Sequence, residues 1–189
     1  HSRFLYPPLA AALFKPFALL PYKDAKYLWT ALILFSVAAG VLLAVLTAGS
    51  DRDLNALLFI ATVVAGFYPV LVMLDLGQID GVTFLLMMLV FRFTVADGRK
   101  GYLAGLFLAG ATLLKLHCAF ALPFLLARRR FKVMVGWVSG CCLLAVLSLV
   151  TVGWNLSRDY IVSELPRINQ WGWRGSPNMR LPAEFLDSK

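Results

Sequence analysis

Residues 27–49 carry no charged side chain over 23 consecutive positions. At ~1.5 Å per residue a helix of that length crosses a hydrocarbon core of ~30 Å. Further apolar runs follow at 54–74, 82–96, 101–127 and 133–153, separated by short polar turns such as Ser50-Asp51-Arg52-Asp53 and Asp97-Gly98-Arg99-Lys100. The run 54–74 is interrupted at Tyr68-Pro69, where a proline inside a helix should kink it. With 60% hydrophobic and 15% charged residues and a mean hydropathy of +0.78, the chain reads as an all-α polytopic membrane bundle. About four full spans are expected, with a re-entrant or short-helix hairpin and interfacial helices beside them. No soluble domain boundary and no internal repeat is visible, so residues 1–189 read as a single integral-membrane domain: 1–26 interfacial helices, 27–153 the bundle, 154–189 an outer-face loop region.

The formal charge of +8 does not mark a nucleic-acid binder, because the basic residues sit at the ends of apolar runs and form no basic face with interleaved aromatics. Cys118, Cys141 and Cys142 are embedded in apolar sequence without a Cys-x-x-Cys spacing, and they read as small core residues; no metal site is expected. Residues 4–21 are apolar but broken by Pro7, Pro8, Pro16 and Pro21, which suits short helices at the interface. The chain opens on His1-Ser2-Arg3, and a fragment is expected, with sequence missing ahead of it.

The two densest basic clusters, Arg99-Lys100 and Arg128-Arg129-Arg130, belong on the cytoplasmic side by the positive-inside rule. The segment between them must then enter the membrane and return. A lysine near mid-bilayer costs ~2.5–3.5 kcal/mol on insertion scales, and a hairpin with Lys115-Leu116-His117 at its turn avoids that cost. Gly101, Gly105 and Ala109, four residues apart, supply the small face that close helix packing in lipid uses. Counting outward places Arg52 inside, and Gly77-Gln78-Ile79-Asp80, the Tyr6 segment and the carboxy-terminal tail outside. Lys15, Lys23, Lys26, Arg158, Arg167, Arg174 and Arg180 then also lie outside, which the rule disfavours unless they hold an anionic group.

Several of these residues have a chemical reading and a structural one. Lys115 and His117 can grip a phosphodiester, or can be a helix end snorkelling to water beside a hydrogen-bonded turn residue. Gln78 and Asp80 flank a glycine-bounded break, where freed backbone is tolerated only against protein or a wet cavity. Asp75 or Asp80 can act as a general base, or can cap a helix beside the Gly77 break. Asn169, Gln170 and Asn178 can hydrogen-bond a polyol, Tyr6 can line the same pocket or anchor at the interface, and Trp171 and Trp173 can stack on a sugar or sit in an aromatic belt.

In their order, Tyr6-Pro7-Pro8-Leu9-Ala10, Leu19-Leu20-Pro21, Gly77-Gln78-Ile79-Asp80, Ala104-Gly105-Leu106-Phe107-Leu108-Ala109-Gly110 leading to Lys115-Leu116, Arg128-Arg129-Arg130-Phe131, and Leu165-Pro166 with Asn169-Gln170 resemble glycosyltransferase family 87. The resemblance implies a GT-C-type enzyme of the cytoplasmic membrane of a bacterium. Such an enzyme moves a hexose, mannose in characterised members, from a polyprenyl-phosphate-sugar to a hydroxyl acceptor, glycan or lipid, on the outer face. It implies Lys115 and His117 at the donor phosphate, Tyr6, Gln78, Asp80, Asn169, Gln170 and Asn178 in the substrate pocket, and no cofactor beyond the donor substrate, with a divalent metal left open. The acidic base of such enzymes stands in an outer loop ahead of Tyr6, so its identity is unknown here and the chain alone is expected to be inactive. The family more often has asparagine where Asp80 stands and proline or a small polar residue where His117 stands, which leaves the sugar open. A flippase-like transporter and a non-enzymatic lipid-binding subunit are the competing readings.

Overall fold

The computed structural model describes residues 8–47, 54–96, 98, 100–164 and 166. Among these the regular structure is helical throughout: α1 (Pro8–Ala18), α2 (Tyr22–Thr47), α3 (Leu54–Gly66), α4 (Tyr68–Asp75), α5 (Asp80–Val95), α6 (Lys100–Leu114), a 3₁₀ turn (Leu116–Phe120), α7 (Ala121–Ala127), α8 (Phe131–Val152), α9 (Trp154–Asp159) and a π-helical turn (Tyr160–Glu164). Among the described residues two helices are long and apolar enough to cross a membrane, α2 with 26 residues and α8 with 22. A third crossing exists if α3 and α4 form one broken span, since they meet at a 60° bend. The bend falls where Pro69 leaves the ladder without a donor, and Phe67 ahead of α4 is extended, with φ −77° and ψ 111°. Helix α5 has 16 residues, ~24 Å at the α-helical rise, short of the full span expected there.

Helix α2 begins one turn earlier than its apolar run. Pro21 precedes it, and Tyr22-Lys23-Asp24-Ala25-Lys26 make a polar first turn, so part of the expected interfacial segment is the start of α2. Helix α1 starts on Pro8, as proline in a first turn allows, and contains Pro16.

The bundle is assembled by glycines that let backbones touch. A Cβ on Gly105 would land on the Val133 carbonyl and the Trp137 amide, and one on Gly136 would land on the Tyr102 carbonyl; at Gly140 it would sit 2.7 Å from the Ala109 Cβ. These contacts step in the same direction along both helices, so α6 and α8 run parallel with Gly101, Gly105 and Ala109 on the seam, as the four-residue spacing implied. Helices α2 and α5 are parallel in the same way: a Cβ on Gly81 would meet Ile33 Cγ2 at 2.8 Å, and Phe84 lies against Gly40. Helix α5 runs antiparallel to α6, with Phe93 stacked on Phe107 at 5.6 Å between ring centroids.

Two parallel helices joined in sequence need a return segment. It is the 3₁₀ turn with α7: Leu125 of α7 shares one buried cluster with Val90, Ala104, Leu108 and Val133. Lys115, extended at φ −142° and ψ 109°, is where α6 stops and the chain turns back. The hairpin is therefore present, with its basic ends together and Lys115 at the far end. Outward faces of the long helices are apolar and exposed, including Phe35 and Leu42 on α2 and Leu143 and Val150 on α8, as lipid contact requires. Cys118 is buried and Cys141 half-buried, but Cys142 is exposed, so it is not a core residue; all three are free thiols.

The seam predicts its own sensitivity. Gly105→Ala should destabilise the protein by ~1–3 kcal/mol, because the clash is with backbone and no side chain can yield. Gly66→Ala, where nothing lies within 4 Å, should be neutral or slightly stabilising. Thermal unfolding in one detergent compares the two.

Candidate functional site

The end of the bundle opposite the basic clusters gathers the amino-terminal ends of α2 and α5, the α4–α5 break, α1 and the hairpin apex. Its construction starts at Gly77. Helix α4 finishes in a Schellman turn: the Gln78 amide donates to the Met73 carbonyl at 2.9 Å and the Gly77 amide to the Leu74 carbonyl at 3.2 Å. That turn needs a left-handed residue, and Gly77 supplies it at φ +61°. The Gly77 carbonyl, left free by the turn, accepts a 2.7 Å hydrogen bond from Trp29 Nε1 on α2. Phe14 and Phe17 of α1 meet the Trp29 ring edge-on at 5.0 and 5.5 Å, which ties α1 to the same corner. Ala10, Ile79 and Leu114 close the apolar floor beneath it.

Asp80 occupies the first turn of α5, where a carboxylate is favoured by the helix dipole. The antiparallel α5–α6 pairing brings Lys115 to it, and Lys115 Nζ forms an ion pair with Asp80 Oδ1. Side-chain exposures of 24% for Lys115 and 35% for Asp80 leave the pair reachable from outside the bundle. The charge that looked unaccounted for in the sequence thus has a partner on a different helix. It is neither stranded in the apolar interior nor a lone snorkelling group.

The other candidate residues are distributed unevenly. His117 is exposed in the 3₁₀ turn, two residues past Lys115, and forms no ion pair among the described residues. Gln78 is half-buried in the α4–α5 break. Asp75, the last residue of α4, is exposed and lines a cleft of about 390 Å³ with Phe14, Tyr22, Lys26, Trp29 and Gly77. Tyr6, Asn169, Gln170 and Asn178 lie outside the described residues, as do Trp171 and Trp173. The structure therefore brings together Gln78, Asp80 and Lys115, with Asp75 on the rim of the neighbouring cleft. Sequence reasoning missed Trp29 and Phe14, and it noted Lys26 only as one of several outer-side cations that could hold an anionic group. The available signal was Trp29 itself, an indole N–H inside an apolar span, which must find an acceptor. Among the described residues no group of histidine, cysteine and carboxylate side chains is placed to hold a metal ion.

Chemically, the arrangement offers a half-exposed ammonium held by a carboxylate, beside an aromatic cleft with its own lysine and aspartate. It suits an anionic headgroup at the ion pair and a polar, ring-bearing molecule in the cleft. Residues 4–187 match the family profile of glycosyltransferase family 87. No curated protein and no solved structure matches the chain.

The polarity of the bundle is directly measurable. In a variant without native cysteines, Leu116→Cys and Arg129→Cys should react with a membrane-impermeant maleimide from opposite sides of sealed vesicles. Labelling of both from one side would contradict the hairpin.

Proposed function

Since the chain belongs to glycosyltransferase family 87, we propose that this membrane glycosyltransferase takes a hexose from a polyprenyl-phosphate-sugar and moves it to a hydroxyl on a glycan or lipid acceptor at the outer face of the cytoplasmic membrane. The observation that carries this reading is the Asp80–Lys115 pair at the hairpin apex. In this reading α2, the bent α3–α4 pair and α8 cross the bilayer, α5 runs back beside them without the length of a full span, and the hairpin enters from the cytoplasmic side and lifts Lys115 towards the outer one.

The reaction needs a bond from the acceptor oxygen to the anomeric carbon, rupture of the bond from that carbon to the phosphate oxygen, and removal of the acceptor proton. As the second bond breaks, negative charge grows on the departing polyprenyl phosphate. An ammonium fixed in a partly desolvated place stabilises that charge more in the transition state than in the ground state. Asp80 holds Lys115 in position before the donor arrives, and the donor phosphate then adds to or displaces the carboxylate contact. His117, exposed beside it, is a second donor for the same phosphate. Asp75 is the exposed carboxylate beside the aromatic cleft, where a sugar ring stacks on Trp29, Phe14 or Tyr22 and where a proton acceptor is needed. Its role as base is weaker than that of Lys115 as phosphate ligand, since a carboxylate from another part of the enzyme can serve.

Replacing Lys115 with alanine in the full-length protein should lower transfer from a polyprenyl-phosphate-sugar by roughly 100-fold, the usual effect of removing one preorganised group that faces developing charge. Lys115→Arg should retain part of the activity. Unchanged transfer and donor affinity in Lys115→Ala would refute the assignment, and donor binding followed by translocation without transfer would favour a flippase.

A further inference from the structure

The opposite end of the bundle holds a second site that the transfer reaction does not use. A cavity of about 330 Å³ lies between the end of α5, the start of α6 and the turn leading into α8, lined by Thr94, Gly101, Arg128, Arg129, Phe131 and Lys132 together with Arg130 and Val133. No acidic side chain lines it among the described residues. Three features of this cavity point to a ligand.

The first is Arg129. Helix α7 ends in the same Schellman turn as α4: the Arg129 amide donates to Leu126 and the Arg130 amide to Leu125, each at 2.9 Å. In α4 the left-handed position is filled by Gly77, yet here it is filled by an arginine at φ +53°, the only non-glycine residue with positive φ among those described. A side chain in that region costs ~1–2 kcal/mol, and glycine would fit the turn better. The turn therefore needs no arginine, and a guanidinium kept at a strained position points to a task for it.

The second feature is Thr94. Ser36, Thr47, Thr62, Thr83 and Thr151 all donate their hydroxyls to the carbonyl four residues earlier, as helical serines and threonines do. Thr94 does not: its Oγ1, like Ser157 Oγ in α9, is buried without a hydrogen-bond partner, and Thr94 stands on the wall of this cavity. A buried hydroxyl left unpaired calls for a ligand or water.

The third is the surroundings. Arg128 is held by the Phe124 ring, with its Cζ 5.4 Å from the ring centroid. The cavity opens at the start of α8, whose N-cap makes no side-chain cap and whose dipole favours an anion. Beside the cations, Phe124, Leu126 and Phe131 are 61, 52 and 57% exposed, an apolar surface adjoining a cationic one.

We propose that this cavity binds the phosphate headgroup of an anionic phospholipid of the cytoplasmic leaflet. Arg128, Arg129 and Lys132 neutralise the phosphate, Thr94 donates to one of its oxygens, and the acyl chains lie over Phe124, Leu126 and Phe131. A free phosphate would satisfy the cations but not the apolar rim, and cationic pockets between membrane helices on this side suit lipid headgroups. Bound there, the lipid clamps the open ends of the hairpin, α5 and α8 together, at the end of the bundle away from the Asp80–Lys115 pair.

The test uses the full-length protein in nanodiscs of phosphatidylcholine with phosphatidylglycerol, reading retained lipid by native mass spectrometry. Phosphatidylglycerol should be retained about tenfold over phosphatidylcholine, and excess soluble glycerol phosphate should not displace it. Arg129→Gly relieves the turn, so it should raise or preserve thermal stability while cutting the preference about fivefold, the loss expected for one cation near a headgroup. Thr94→Val should cut it about twofold to threefold, as loss of one hydrogen bond does. Equal retention of the two lipids, displacement by glycerol phosphate, or an unchanged preference in both variants would overturn the proposal.

Discussion

The structure depends on how closely α6 and α8 approach. Glycines at 105 and 136 let the two backbones touch, which in lipid replaces the hydrophobic drive that no longer distinguishes inside from outside. Once these helices lie parallel and in contact, the connection between them has to return across the bundle, and it has only residues 115–130 in which to do so. That forces a short, broken return, which puts a polar turn at one end and three arginines at the other. Both candidate sites are consequences of that single packing constraint.

Each end of the hairpin then resolves its charges differently. At the apex one cation is matched by one carboxylate across α5 and α6, a pair that fixes geometry while remaining half-exposed. At the open end Arg128, Arg129 and Lys132 share a cavity with a buried hydroxyl and with no acid lining it among the described residues, a setting that suits an external anion. A paired cation at one end and the dense cluster Arg128-Arg129-Arg130 with Lys132 at the other distinguish the two ends, and the positive-inside rule assigns the denser cluster to the cytoplasmic side.

Much of this was legible in the sequence because it depends on local chemistry. Pro69 marked the bend between α3 and α4; Gly101, Gly105 and Ala109 marked the seam; the basic clusters required the hairpin and so located Lys115 at its apex. What stayed hidden depends on pairing across helices. Gly136 and Gly140, the other half of the seam, lie in a run whose hydrophobicity alone said only that it spans. Asp80 and Lys115 are each ambiguous by themselves, and only the antiparallel register of α5 and α6 joins them. Trp29 looked like one more apolar residue until Gly77 offered it a carbonyl. The early start of α2 was masked by its polar first turn, and Arg129 read as a topology signal because nothing in Arg-Arg-Arg reveals which residue adopts a left-handed backbone.

The claim on which the account rests is that Asp80 and Lys115 are energetically coupled and together fix the hairpin apex to α5. A double-mutant cycle on unfolding free energy measures this, using Asp80→Leu, Lys115→Met and the two combined. Removing one partner leaves a charge uncompensated, whereas replacing both by apolar side chains can be nearly neutral. The account predicts that each single variant is destabilised and that the double variant recovers, with a coupling of at least ~1 kcal/mol. Additive losses, within ~0.5 kcal/mol, would contradict it.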